Sequence, residues 1–354
     1  MTKNLMTLAI AMLSFYGAIA QMITPQTSPF ASVTQRVGIT DISITYHRPA
    51  VNERDIWNTN VVPFDGNPFP WRAGANDNTL FTTTHDLLFD EHILPAGEYG
   101  LHIIPRKETS WIVVFSNNTT SWGSFRYNKE EDALRVEVEP SSITHQENLL
   151  YHFTSLNNNG AMLNLDWEKK RIAIPFKISK MDEVVLAYFD KMLQGRIGFN
   201  WRNWFEKALY CEQNDTHLEE GLAAIDMSIM NTAKFDNYNL KESILRKLGK
   251  EEEANKIAHE KIHEIANGGE LNGYGYTLLW DKKYDEALKI FQLNIKKHPD
   301  EANFYDSLAE CYKNMGEDKK AIENYKKALS MNPPPFVKDN AIKMLKELGV
   351  NYNG

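Results

Sequence analysis

A 34-residue recurrence in the C-terminal part of the chain limits its fold more than any other feature. Ala287 and Ala321 stand 34 residues apart, as do Phe291 and Tyr325, and Pro299 and Pro333. A weaker copy precedes them: Leu248-Gly249-Lys250-Glu251-Glu252-Glu253-Ala254 aligns with Met315-Gly316-Glu317-Asp318-Lys319-Lys320-Ala321. A unit of this length holds a pair of helices and cannot bury its apolar side alone, so successive units must stack. Residues 200–230 and 235–266 are expected to supply earlier pairs, and Val337 to Leu348 a capping helix.

A small residue where two helices cross, an aromatic one turn later and a helix-ending proline resemble the tetratricopeptide repeat. In the best copy Leu308, Ala309, Tyr312, Gly316, Ala321, Tyr325, Ala328 and Pro333 fall on the consensus positions. The 271–299 copy departs from it, with Tyr274 and Leu278 for the usual Leu and Tyr, and Asn294 for the usual Ala. The resemblance implies a groove for a peptide or protein partner. It would be lined by Asn272, Tyr276, Leu279 and Trp280 in one hairpin and by Asn303, Asp306, Glu310 and Lys313 in the next.

Before residue 180 the pattern is different. Ile42, Ile44 and Tyr46 share one face of a strand, with Ser43, Thr45 and His47 on the other. Similar runs recur at Thr79–Thr84, Tyr99–Ile104, Trp111–Ser116, Leu134–Val138, Leu149–Phe153, Met162–Trp167 and Ile172–Ile178, separated by turn formers such as Pro95-Ala96-Gly97. Short strands at this spacing predict an antiparallel β-sandwich or barrel. Trp111, Trp122 and Trp167 are expected in its core. Val51 to Trp71, rich in Pro and Asn, reads as a long ordered loop. The predicted architecture is therefore β then α: a β-sandwich domain over 21–178 and an all-α helical-hairpin array over 183–354.

The β half carries the clusters Tyr46-His47-Arg48-Pro49, Arg54-Asp55-Ile56-Trp57 and Trp71-Arg72-Ala73-Gly74-Ala75-Asn76 with Thr79. In this order they resemble the bacterial family known as domain of unknown function 2911. Leu94 to Tyr99, Trp111, Trp122-Gly123, Tyr127, Asp132, Leu134-Arg135-Val136 and Asp166-Trp167-Glu168 add to the resemblance. Ala73 stands where a Thr is common and Asn58 where a Gly is common. The resemblance supports the architecture and implies no reaction.

Within this half, Arg48, Arg54, Trp71, Arg72, Asn76 and Thr79 are the ligand-binding candidates. A guanidinium presents a planar fork to carboxylates, phosphates or sugar hydroxyls, and an indole offers a flat apolar face. The competing reading is structural, with the arginines pairing to Asp55, Asp77 or Asp132 and stapling the loop down.

No catalytic residue is assigned. His259-Glu260-Lys261-Ile262-His263 spells H-E-x-x-H, a zinc-hydrolase pattern. It falls in the second helix of a hairpin, where Ile257, Ala258, Ile262, Ile265 and Ala266 form the apolar stripe and the histidines lie toward its polar flank. His259 and His263 are thus weak metal candidates. The alternative to a binding protein is a hydrolase, acting through these histidines or in the Arg-rich cleft. Phosphate-loop, nucleophile-elbow and dinucleotide motifs do not occur, and no cofactor is expected. Cys211 and Cys311, the two cysteines, are too few for a disulfide framework and are expected as buried thiols.

Export is expected from the first twenty residues. Lys3 precedes the apolar run Leu5–Tyr16, and Ala18-Ile19-Ala20 offers a cleavage site, so residues 1–20 read as a signal peptide cleaved after Ala20. That places the mature chain in a periplasm or outside the cell, with no membrane span. The chain carries 13 Lys and Arg against 18 Asp and Glu over 21–178, and 25 against 29 over 179–354. Neither half has the basic footprint of a nucleic-acid binder. The function these features predict is an exported, non-catalytic binding or scaffold protein of the bacterial envelope.

Overall fold

The computed structural model describes residues 25–352. The expected signal peptide lies outside them. The chain divides into two compact units between Val184 and Val185. No helix among the described residues is long and apolar enough to cross a membrane.

The first unit is a sandwich of two open sheets. β1 (Phe30–Val37), β2 (Thr40–His47), β3 (Thr79–Thr83), β6 (Gly97–Ile104), β7 (Trp111–Ser116) and β8 (Asp132–Val138) form one sheet in the order β1-β2-β3-β6-β7-β8. β4 (Leu87–Phe89), β5 (His92–Leu94), β9 (Ser141–Thr154) and β10 (Gly160–Ile178) form the other, ordered β5-β4-β10-β9. Neither closes into a barrel. Alternation works as read in β2, where Ile42, Ile44 and Tyr46 are buried between the sheets with Phe81, Leu101, Val113 and Phe115. The expected runs Met162–Trp167 and Ile172–Ile178 are one strand, β10, kept in register with β9 through shifts on either side of Glu168.

The loop from Arg48 to Asn78 belongs to this core. Val51, Ile56, Val62, Trp71 and Ala73 are all buried. Trp71 exchanges two backbone hydrogen bonds with Ile103, both 2.8 Å, and so continues the edge of β6 that β3 occupies as far as Leu101. Its indole stacks on Trp167 at 5.6 Å and 14°, with Trp57 edge-on to both. Ala73 is held at φ 51°, where a side chain is strained, and its carbonyl accepts hydrogen bonds from Thr79 Oγ1 at 3.1 Å and Tyr151 OH at 3.0 Å.

The second unit is a stack of helices. α1 (Met181–Leu193) leads into α2 (Trp201–Gln213), α3 (Leu218–Asn231), α4 (Phe235–Lys247) and α5 (Glu251–Lys256). A π turn at Ile257–Ile262 joins α5 to the short α6 (His263–Ile265). α7 (Gly268–Trp280), α8 (Tyr284–Lys297), α9 (Ala302–Asn314), α10 (Asp318–Ser330) and α11 (Pro335–Glu347) follow. Ala321 packs in the core with Ala309, Tyr325, Ala341 and Leu345, as a residue at a helix crossing must.

One turn recurs through this unit. Asp215, Gly249, Lys282, Gly316 and Gly349 all have left-handed φ, between 51° and 78°. In each case the next N–H bonds back to the carbonyl five residues earlier: Thr216 to Cys211, Lys250 to Leu245, Lys283 to Leu278, Glu317 to Tyr312 and Val350 to Leu345, at 2.8–3.0 Å. This is the helix-ending turn that glycine favours; it ends the first helix of each hairpin and, at Gly349, the capping helix α11. Its recurrence carries the repeat back to α2, where sequence similarity is weak.

Two experiments test these constraints. A Cβ at Gly316 would meet nothing within 4 Å, so Gly316→Ala should cost only the backbone strain, about 1 kcal/mol, and Lys282→Gly should recover a similar amount. Urea unfolding of the full chain reads both, and equal stabilities would show that the turn does not limit the array. In the β unit, Thr79→Val and Tyr151→Phe should each cost about 1 kcal/mol. The double variant should cost more than their sum, because it strips the buried Ala73 carbonyl of both side-chain donors. Simple additivity would rule that out.

Candidate functional site

The six candidates of the β unit do not share one surface. Trp71 and Thr79 point into the core. Arg48 donates from Nε to the Leu149 carbonyl at 2.9 Å, and Arg54 donates to Val51 and Ala50 carbonyls at 3.0 and 2.6 Å. Both staple the loop through backbone oxygens rather than through aspartates. Asn76 donates to Gln26 Oε1 at 3.1 Å and lies 3.2 Å from His47 Nδ1.

Arg72 is the one that differs. Next along the chain from the buried Trp71, it lies against the segment that joins β7 to β8. One of its five N–H groups donates to the Asn76 carbonyl at 2.5 Å. Its guanidinium carbon is 5.2 Å from the Trp122 ring centre and 5.5 Å from that of Phe125. Gly123 lies between these aromatics with φ 71°, and a Cβ there would come within 2.6 Å of the guanidinium carbon. The backbone conformation favours glycine, and a side chain there would push the guanidinium aside.

Trp122 is not a core residue, unlike Trp111 and Trp167; it is 62 % exposed, and Phe125 is 56 % exposed. The two rings stack on each other at 5.7 Å and 16°, with Phe69 edge-on to Phe125 at 4.8 Å.

Polar side chains, two of them buried, anchor the same segment. Asn78 donates to the Asn118 carbonyl at 3.1 Å. His102 Nδ1 meets the Ser124 hydroxyl at 2.9 Å. Burial, with Arg72 pushing the same way and Asp132 opposing, lowers the His102 pKa to about 4, so the ring is neutral near pH 7. Ser124 is 1 % exposed, which makes this pair a loop anchor rather than a nucleophile and base open to substrate. Tyr127 donates to Asp132 at 2.8 Å and accepts from Arg135 at 2.6 Å, and burial with the nearby carboxylate pushes its pKa up to about 12.

In the helical unit, most of the groove candidates lie on one face of α7 and α9. Tyr276 OH donates to Glu310 Oε2 at 2.9 Å, Asn340 Nδ2 to Asp306 Oδ2 at 2.8 Å, and Lys313 Nζ to Glu347 Oε2 at 2.5 Å. Each pair is 34 residues apart, so the same face of successive hairpins is tied together rung by rung. Asn272 and Asp306 occupy equivalent positions. Each has a buried Oδ1 with no hydrogen-bond partner, as does the Tyr325 hydroxyl from α10. Asp306 is 5 % exposed, and burial pushes its pKa up to about 6, with Glu310 adding and Asn340 opposing. Trp280 is 76 % exposed, its ring centre 5.9 Å from that of Tyr276. Asn303 is half-buried, while Leu279 is buried and belongs to the helix core rather than the groove.

The H-E-x-x-H segment falls in the π turn from Ile257 through Ile262 and the first residue of α6, His263. The His259 side chain lies outside the described residues. Among those described, no three His, Cys, Asp or Glu side chains gather as a metal site. Cys211 and Cys311 are both buried.

Comparison with known proteins follows the same division. Curated proteins give no match. A tetratricopeptide-repeat protein with an unusual peptide-binding site, YrrB, is similar over 47 % of this chain and 84 % of its own, at 18 % identity and TM-score 0.30. The pilF protein of Pseudomonas aeruginosa is similar over 42 % of this chain and 68 % of its own, at 18 % identity and TM-score 0.28. MamA of Desulfovibrio magneticus is similar over 42 % and 93 %, at 19 % identity and TM-score 0.27. Residues 28–176 match the family model described as a protein of unknown function (DUF2911), and residues 302–335 match a tetratricopeptide repeat, so the chain carries a DUF2911 domain followed by tetratricopeptide repeats.

Proposed function

We propose that the chain is an exported binding protein whose helical repeats hold an extended segment of a partner protein across the face of α7, α9 and α11. The observation that carries this reading is the pair of buried, unpartnered acceptors, Asn272 Oδ1 and Asp306 Oδ1, at equivalent positions of adjacent hairpins. A buried acceptor without a donor costs about 1–3 kcal/mol. An extended peptide has backbone N–H groups to offer such acceptors, and the exposed Trp280 beside Tyr276 supplies an apolar contact for its side chains. Tyr276, Glu310 and Lys313 then serve to hold the face in shape.

Asp306 gives the test its sign. A carboxyl whose folded pKa, about 6, lies above its unfolded 3.8 is most favourable to folding below pH 4, and that advantage is lost as pH rises through 6. Asp306→Asn keeps an acceptor for Asn340 and removes the buried charge. It should raise stability at pH 7 by about 2–3 kcal/mol, with the gain shrinking toward pH 4. The same variant should lose the partner that the wild type retains from envelope extract, identified by cross-linking and mass spectrometry. A variant both more stable and fully competent in retention would refute the assignment of Asp306 to the binding face. Export is tested separately: the secreted protein should begin at Gln21 by N-terminal sequencing, and an intact Met1 would overturn it.

A further inference from the structure

The Arg72 corner of the β unit has chemistry that the repeat groove does not use. Its guanidinium has no carboxylate within 4.0 Å among the described residues, and Asp77 acts on it only at longer range. It is half-buried, and burial lowers its pKa, yet four of its five N–H groups make no hydrogen bond among the described residues. His102, being neutral, adds no second positive charge. Leaving a partly desolvated cation without an anion is unfavourable unless something completes it.

The aromatic residues around it are arranged for contact rather than for burial. Trp122 and Phe125 lie against the guanidinium, stacked on each other, with more than half of each residue's surface exposed. Phe69 closes in on Phe125 from the β2–β3 loop. The anchors Asn78–Asn118, ahead of the aromatic pair, and Ser124–His102, between its two members, hold this segment against buried side chains, so the rings are positioned and not merely loose at the tip of a loop.

We propose that Arg72, Trp122 and Phe125 form a binding site for a small anionic ring compound. Its carboxylate would accept from the open edge of the Arg72 fork, and its ring would lie against the aromatic pair. A bidentate carboxylate needs the planar fork, which lysine lacks. A flat apolar ring face can come from a sugar acid or from an aromatic acid, and the shared chemistry is a carboxylate next to that face.

Calorimetric titration of the full chain with glucuronate and with benzoate tests the site, with glucose and benzyl alcohol as uncharged controls. At least one acid should bind saturably with a Kd of about 1 mM or tighter, in the range a ligand of this size can reach. The uncharged controls should give no saturable heat. Arg72→Lys should weaken binding by about tenfold or more while leaving the melting temperature near wild type. Trp122→Ala should weaken it as well, and serves as the second variant if Arg72→Lys fails to fold. Which acid binds decides between the sugar and the aromatic source. Absence of binding by both acids, or affinity unchanged in both variants, would overturn the proposal.

Discussion

The β unit depends on where Trp71 is held. Two backbone hydrogen bonds to Ile103 and a face-to-face stack on Trp167 fix one residue of the loop from Arg48 to Asn78 to both sheets at once. Because neighbouring side chains of an extended segment alternate sides, burying Trp71 directs Arg72 away from the core. The strained turn at Ala73, held by Thr79 and Tyr151, then stops the loop from sliding along β6. Rigid packing on one side thus sets the position of a cation on the other.

The helical unit solves a different problem with one device used repeatedly. Every hairpin must end its first helix at the same point if successive helices are to lie in register, and the left-handed turn does this at Asp215, Gly249, Lys282 and Gly316. With the turns in step, side chains 34 residues apart come within hydrogen-bond distance, as Tyr276–Glu310, Asp306–Asn340 and Lys313–Glu347 show. The polar face is thus a consequence of backbone geometry as much as of side-chain choice.

Much of the fold was legible because the sequence writes it in periods. The spacing of Ala287, Ala321, Pro299 and Pro333 announces hairpins, and the alternation in Ile42-Ser43-Ile44-Thr45-Tyr46 announces a half-buried strand. β1 and the short β4 and β5 escaped notice: Phe30–Val37 carries few large apolar residues, and three-residue strands are too short to show a period. The site was legible only in pieces. Arg72 could be singled out by its motif, but Trp122 sits between Ser121 and Gly123 in a loop with no alternation to say which way it points. Nothing in the spacing placed it against an arginine fifty residues earlier. Leu279 failed for the opposite reason, since helical numbering put it beside Trp280 on the groove while packing turned it inward.

The rungs between hairpins join unlike residues: a tyrosine to a glutamate, an aspartate to an asparagine, a lysine to a glutamate. The α9–α10 hairpin is therefore not complementary to a copy of itself. Duplicating α9 and α10 would set Asp306 against a second Asp306 and Glu310 against a second Glu310, replacing hydrogen bonds by like-charge repulsion. The backbone would accept such growth, but the side chains oppose it. The array is thus built from similar frames carrying an ordered, directional alphabet, and this hairpin cannot be doubled without setting like charges face to face.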